Sequence, residues 1–577
     1  MLKKLVALAG AVGTIVVGPM AADTRQVTRS GVARLLGRGE PARQAVIGAQ
    51  RDGNAALVAM ASARNGRTAP GHVLRGLGRS VPARRVCTGL LLLALVLRLI
   101  GLTADLPYMH HPDEPVNLQV LDAMVSHGDA NPHFFNYPSL FFYLHAAFHL
   151  DGPLLGWIPG LTERAPVSAL MGVSYAPTTG SVMVHRGLTV ALGILVVLVG
   201  WVTARRVTNG VLPATVTAML LALSPTLITN SRFITPDMPT ALLVAVAVLA
   251  SVRLLRSGSW LAYAVSGLAV GLATSTKYTA VFVAVPVILA GLLRSTDRAG
   301  LRKAAARLPI AGACAVLAFL ATTPYALLDR PAFLEGLQFE RRHYATGHAG
   351  MDGNAPGFYA AYLATHEGLL VALALVAVVA VTVWDRQRWR VAVVLASFPV
   401  IYSAVVALQS VRNDRTIMLV LPPLAVLAAL AIEPLLTTYA HQHRAVGLAA
   451  ATIAVAVLVV EAVARLPYPG PSTWNAAQHW LDEHTPSGTT VLVEPYAPWL
   501  DPARYKVISC GRVVDCPPPR GGYVVASEGM YGRFTEQPKT YPADAAAYQR
   551  LFQELPQVAI FDAPTSPVIR IFKVPAG

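Results

Sequence analysis

The sequence predicts an α-helical polytopic membrane protein that carries a small C-terminal extracytoplasmic α/β domain, and three observations lead to this class. Of 577 residues, 54% are hydrophobic and only 14% charged, with a mean hydropathy of +0.50, which is more apolar surface than a soluble fold can bury. The apolar residues gather into runs near span length, separated by short basic gaps. After Leu466, prolines and polar residues replace Ala, Val and Leu, and the periodicity shortens.

The chain divides into three segments, residues 1–85, 86–465 and 466–577. Residues 1–20 hold two lysines and an apolar stretch of export-signal length. From 21 to 85 there are twelve arginines against Asp23, Glu40 and Asp52, a balance that normally stays in the cytoplasm. The segment 1–85 is therefore expected to be a basic, partly disordered cytoplasmic extension whose arginines meet anionic lipid.

Segment 86–465 is expected to cross the membrane about eleven times. The first span, 86–103, is followed by runs at 183–203, 211–229, 237–255, 260–276, 278–293, 308–325, 366–383, 391–408, 416–434 and 445–465. The apolar stretch 260–293 is split at Ser-Thr-Lys-Tyr because one helix of that length would run about 50 Å, far beyond a bilayer core of about 30 Å. With this split every inward loop is basic, including Arg205 and Arg206, the set from Arg294 to Arg307, and Arg386 to Arg390. Loops 104–180 and 326–365 and the tail then lie outside, in a plasma (inner) membrane. The loop 326–365 is expected to be irregular, with short interfacial helices around Phe333 and Tyr359. In the tail, TTVLVEP, GYVVAS, VAIFDA and VIRIFKV read as strands and AAYQRLFQEL as a helix.

A net charge of +16 would suggest nucleic acid in a soluble chain, but here the basic residues orient helices and no basic face with interleaved aromatics occurs, so no nucleic-acid partner is expected. Cys87 and Cys314 lie in apolar runs, which leaves Cys510 and Cys516 as the pair able to form a disulfide if the tail faces an oxidising compartment. Neither CxxC nor HExxH occurs, and His343, His348 and Asp352 are irregularly spaced, so no metal is expected.

The densest polar stretch begins at Tyr108, just beyond the first span, where Asp113 and Glu114 sit among His110, His111, Asn117, Asp129, Asn131, His133 and Tyr137. Neither a lipid-facing helix nor a plain connection needs that composition. Further ionic groups adjoin apolar runs: Arg232 and Asp237 in NSRFITPDMPT, Lys277 between two spans, and Arg412 and Arg415 in SVRNDR. Each has a structural alternative, since Asp237 beside prolines can start a helix and Lys277 can extend to the interface.

The order HPDE, Asn117, then GDANPHFFNYPSL resembles the first extracytoplasmic loop of GT-C glycosyltransferases, above all the branch related to protein O-mannosyltransferases (glycosyltransferase family 39) and lipid A aminoarabinose transferases. RF-x-x-PD at Arg232 to Asp237, GLATSTKYTAVFVAVPVIL and the arginines before LVLPPLAVL are similar to family segments as well. The resemblance covers roughly 86–465 and lacks the β-trefoil insert of the protein O-mannosyltransferases. It implies transfer of a sugar from a polyprenyl-phosphate carrier to an envelope lipid, polysaccharide or protein, with inversion and no cofactor besides the lipid-linked co-substrate.

Such a transfer needs a base for the acceptor hydroxyl and cations for the departing phosphate. The resemblance points to Asp113 as base and Glu114 as its positioning partner. Lys277, Arg232, Arg412 and Arg415 are then expected at the carrier, with Asp237, His111, Asn117, Asn131, His133 and Tyr137 around the substrates. Two other classes compete. A secondary transporter would carry repeated halves and helix breaks near mid-membrane, and a non-catalytic assembly subunit would keep the fold alone.

Overall fold

The computed structural model describes residues 83–149, 177–438 and 472–576, apart from 107, 209, 349, 352–353, 384–387 and 564–565, together with 453, 456–464 and 466. Most of the expected basic extension, Asp352 and much of the expected span 445–465 lie outside the described residues.

The membrane part is helical. It comprises α1 (Ala83–Leu99), α2 (Asp113–His127), α3 (Leu140–Ala146), α4 (Thr179–Val207), α5 (Val211–Leu223), α6 (Pro225–Asn230), α7 (Asp237–Ser257), α8 (Trp260–Thr274), α9 (Ala284–Leu292), α10 (Arg298–Thr322), α11 (Arg330–Thr346), α12 (Ala355–His366), α13 (Gly368–Val383), α14 (Trp389–Ala407) and α15 (Leu421–Thr438). Their ends follow local chemistry. Thr178, Ser259 and Asp297 cap α4, α8 and α10 by accepting from the backbone N–H groups of Ser181, Ala262 and Gly300. Gly258 closes α7 at φ 56°, its N–H bonded to the Leu254 carbonyl 2.9 Å away.

Among the described residues, five helices are long and apolar enough to cross a membrane, or six if the pair α12–α13 counts as one span. Three more of the about eleven expected spans correspond to shorter apolar helices, Val211–Leu223, Trp260–Thr274 and Tyr278–Leu292, and the chain is broken at three places. The run 211–229 divides at Ser224, whose hydroxyl caps α6 by accepting from Leu227 N–H. The run 260–293 divides where it was expected to, at Ser275 to Lys277, and resumes as a 3-10 turn, Tyr278–Val283. At Glu367, α12 and α13 bend by 101°. The Glu367 side chain does not rest in the interface as a span start would; it is buried and accepts from Ser224 Oγ (2.6 Å) and Thr226 N–H (3.2 Å). The loop 326–365 is likewise more ordered than expected, since α11 and α12 are 17 and 12 residues long.

The bundle packs through one continuous core of small and branched apolar side chains from α1, α4, α5, α7, α8, α14 and α15. The closest approach joins α8 to α10. A Cβ on Gly267 would lie 2.1 Å from the Ala311 carbonyl oxygen, and one on Gly271 2.2 Å from that of Ala315, so this G-x-x-x-G pair lets the backbones touch. One end of the contact is stitched by hydroxyls: Thr322 Oγ1 donates to Ser275 Oγ (2.8 Å), which pairs with Thr323 Oγ1 (2.5 Å).

The C-terminal α/β domain begins with α16 (Thr473–His484) and continues through β1 (Thr490–Val493), β2 (Lys506–Ser509), β3 (Tyr523–Ser527), α17 (Glu528–Thr535), α18 (Pro542–Glu554), β4 (Gln557–Ala563) and β5 (Ser566–Lys573). Its sheet has the order β2-β1-β3-β5-β4, with β1 parallel to β2 and β3, and β5 antiparallel to β3 and β4. Alternation along β1 and β3 buries both faces: Val491, Val493 and Val525 pack under α16, while Leu492, Val524 and Ala526 pack under α17 and α18. Cys510 and Cys516 are joined, with their Cα atoms 6.4 Å apart.

The domain rests on the face of the bundle that carries the first long loop. Gln478 Nε2 donates to Tyr108 Oη (3.0 Å), His110 pairs with Asn475 (3.4 Å), and the His110 and Trp474 rings stack with centroids 4.6 Å apart.

Candidate active site

Four ionic groups from four elements meet at this face. Asp113 stands in the first turn of α2, where its carboxylate accepts from Arg415 and from Tyr137 Oη (3.4 Å). Arg415 lies in a single helical turn, Asp414–Ile417, started by the Asn413 side chain. Its Nε is 4.0 Å from Asp237 Oδ2, and the other Asp237 oxygen accepts from Lys277 Nζ at 2.6 Å. Asp237 opens α7 after Pro236, while Lys277 fills the break between α8 and the 3-10 turn. The result is a row, Asp113–Arg415–Asp237–Lys277, of alternating sign in which Asp237 and Lys277 are almost wholly buried. Alternation is what makes burial of Asp237 and Lys277 tolerable, since each charge has an opposite neighbour.

Burial alone would raise the Asp113 carboxyl, but the Arg415 guanidinium and His111 outweigh it and hold the group below the usual carboxylate range. His111 Nδ1 accepts from Asp113 N–H (3.2 Å), and burial lowers this imidazole, which keeps it neutral near pH 7. A further carboxyl, Glu340 on α11, feels Lys277, Asp113 and Arg415. Burial pushes it up to about 7, with Lys277 opposing, and among the described residues it makes no hydrogen bond.

Glu114 parts company with Asp113. It is fully buried behind the row, in a two-pronged pair with Arg186 (Nε to Oε1 2.9 Å, Nη2 to Oε2 2.7 Å), and it also accepts from Ile234 N–H (3.2 Å). Arg186 also donates to the carbonyls of Leu102 and Ala104, each at 3.0 Å, so the pair fastens α4 to the start of the first loop. Consecutive residues in one helical turn point about 100° apart, which is why Asp113 and Glu114 meet different partners, and neither lines the cavity that opens beside Arg415. Asn117 supports the same node, donating to the Ile234 carbonyl at 2.9 Å.

The remaining candidates divide. Arg232 is buried near Arg186 rather than in the row, donating to the Ile100 carbonyl (3.3 Å) with its Nε unpartnered among the described residues. Arg412 donates to Gln537 of the C-terminal domain (3.0 Å) and lies over the Phe358 ring. Asn131 and His133 are not at the row: Asn131 donates to Asp329 (2.8 Å) and so ties the first loop to the start of α11, while the exposed His133 pairs with Asp129 of its own loop (2.9 Å). Among the described residues no three His, Cys, Asp or Glu side chains are grouped to hold a metal, and His343 and His348 simply pack ring against ring.

Beside the row opens a cavity of about 980 Å³. His111, Arg412 and Arg415 line its bundle side, and Tyr496, Glu528 and Arg533 of the C-terminal domain line the other. Sequence reasoning missed Arg186, Glu340 and this opposite wall. Arg186 had a legible signal, a lone guanidinium inside an apolar run. Glu340 and Arg533 had none, being polar residues in polar surroundings.

Residues 176–326 match the family model described as dolichyl-phosphate-mannose-protein mannosyltransferase. Among solved structures, AglB, the archaeal oligosaccharyltransferase from Archaeoglobus fulgidus, in complex with an inhibitory peptide and a dolichol-phosphate, is 14% identical with a TM-score of 0.50, the match covering 85% of this chain and 74% of that one. ArnT from Cupriavidus metallidurans bound to undecaprenyl phosphate is 15% identical with a TM-score of 0.48, covering 85% and 98%. The S. cerevisiae protein O-mannosyltransferase Pmt1-Pmt2 complex bound to the sugar donor is 17% identical with a TM-score of 0.34, covering 49% and 37%. The likeness to AglB is one of fold. No curated protein matches the chain.

Proposed function

We propose that the chain is a glycosyltransferase of the GT-C kind, in keeping with its similarity to the mannosyltransferase family model over residues 176–326, and that it moves a sugar from a polyprenyl-phosphate carrier to an acceptor hydroxyl, with inversion, at the extracytoplasmic face of the plasma membrane. The observation that carries this reading is the row Asp113–Arg415–Asp237–Lys277, whose Arg415 lines a large cavity.

In the reaction, the acceptor O–H gives its proton to Asp113, its oxygen bonds to the anomeric carbon, and the bond from that carbon to the phosphate oxygen breaks. The carrier leaves as its monophosphate, its added charge met by Arg415 and Lys277. Asp113 is tied to Arg415. An arriving phosphate competes for Arg415 and releases Asp113 to act as base, so carrier binding arms the site. Asp237 holds Lys277 in place. Side chains supply all the charge this chemistry needs, so the reading calls for no divalent metal, and the acceptor is an envelope lipid, polysaccharide or protein.

The test is transfer from a polyprenyl-phosphate-linked sugar by the purified chain. Asp113→Asn should keep the fold and lose about 10²- to 10⁴-fold in rate. Lys277→Ala should express part of its loss as a raised KM for the carrier, because the phosphate is anionic before reaction as well as after. Chelation of divalent metal should leave the wild-type rate unchanged. Full activity in Asp113→Asn would remove Asp113 as base.

A further inference from the structure

The cavity wall opposite Arg415 has no part in the chemistry above, yet it is built with care around Tyr496. This residue follows β1 with φ 67°, a left-handed backbone that a bulky side chain adopts only when its surroundings impose it. Three contacts do so. Trp474 Nε1–H donates to the Tyr496 carbonyl at 2.7 Å. Arg533 donates to Tyr496 Oη at 2.7 Å, its guanidinium carbon 4.9 Å from the ring centre. Gly529 leaves room for the ring, since a Cβ there would lie 2.9 Å from both Tyr496 Cβ and Cγ. The ring is partly exposed and lines the cavity. Backbone strain of this kind gathers at ligand clamps.

The lining also limits what the wall can hold. It carries three cations, Arg412, Arg415 and Arg533, against three carboxylates, Asp414, Glu528 and Glu536, with aromatic rings set among them. A lipid acyl chain would take these ionic groups out of water and return no hydrogen bonds. A saccharide offers an apolar C–H face for a ring together with hydroxyls that donate to carboxylates and accept from guanidinium groups. Equal numbers of the two signs favour an uncharged one. At about 980 Å³ the cavity is at the upper end of the roughly 300–1,000 Å³ common for small-molecule sites.

We infer that Tyr496, held by Arg533 and Gly529, is the stacking platform of a subsite for a neutral saccharide, and that the acceptor is a glycan. The inference rests on the glycosyltransferase reading, and its test separates the two. The full chain in lipid nanodiscs is applied to an array of neutral and acidic glycans and of Ser/Thr peptides, while binding of undecaprenyl phosphate is measured in parallel. Wild type is expected to retain neutral glycans. Tyr496→Ala and Gly529→Ala should each lose at least tenfold in that retention, whereas Tyr496→Phe, which keeps the ring, should stay within threefold. Carrier-phosphate binding serves as the folding check and should stay within threefold of wild type in all three variants. Wild type that retains peptides instead of glycans, or no glycan at all, overturns the inference, as does Tyr496→Ala that retains glycans like wild type. Failure of wild type to bind undecaprenyl phosphate would instead sink the carrier reading.

Discussion

Glu340 and Glu114 are acids near the same row, the first partly and the second fully buried, and they predict opposite experiments. Glu340 has its folded value raised to about 7 from an ordinary 4.5. It therefore contributes most to stability below pH 4.5, and that contribution is lost as pH rises through about 7. Glu340→Gln should remove this dependence, so the difference in thermal midpoint between variant and wild type, scanned from pH 4.5 to 8, should move steadily in favour of the variant. A constant difference would place Glu340 in water. Glu114 instead has Arg186 against it, and removing one partner strands a buried charge at a cost of about 3–5 kcal/mol. Glu114→Gln should lower the yield of folded protein more than Asp113→Asn does, and pairing it with Arg186→Met should recover part of the loss. Recovery of folded Glu114→Gln at wild-type yield, with turnover gone, would make it a catalytic group. Asp113, Asp237, Lys277 and Arg415 were legible in the sequence because an ionic residue at the end of an apolar run needs a reason. Their order in the row was not, because Asp113 and Arg415 are 302 residues apart. The split between Asp113 and Glu114 depends on where a helix starts, which an adjacent pair of acids does not reveal.

At the level of helices, the contact of α8 with α10 is the most exacting. Gly271→Ala would set a methyl group 2.2 Å from a backbone oxygen that cannot rotate aside. The helices must part, at a cost of about 1–3 kcal/mol for overpacking. The hydroxyl stitch at Ser275 and Thr323 would shift with them, and Lys277 is two residues from Ser275. Gly271→Ala is therefore expected to lower the thermal midpoint and the rate of transfer together, although it touches no reacting group. A variant destabilised at an unchanged rate would show that Lys277 is placed independently of this contact. The break near Lys277 could be read from length alone. The 101° bend could not, because it is held by bonds from Glu367 to Ser224 and Thr226, more than 140 residues away in the chain. In the C-terminal domain four strands were legible by alternation, while β2 was missed because Lys506–Ser509 is an edge strand with mostly exposed side chains.

Across the whole molecule, the Cys510–Cys516 bond closes a short loop beside the β1–β3 core. A loop of that length confers about 2 kcal/mol by chain entropy. Cys510→Ser with Cys516→Ser should lower the midpoint of the domain's unfolding, with little effect on the bundle, and reducing agent should do the same to wild type. Free thiols in protein recovered without reductant would instead place the domain in a reducing compartment. The first loop and this domain lie on one side of the bundle because Tyr108 and His110 are bonded to Gln478 and Asn475. Those partners are 370 and 365 residues apart. At roughly 5–20 residues per second of synthesis, about 20–70 s separate their appearance. Every residue of the row from Asp113 to Arg415 precedes Tyr496 and Arg533 in the chain, so synthesis completes the bundle side of the cavity before its opposite wall exists. The C-terminal wall is thus the last part of the cavity to be made, and until it folds the row has an open side.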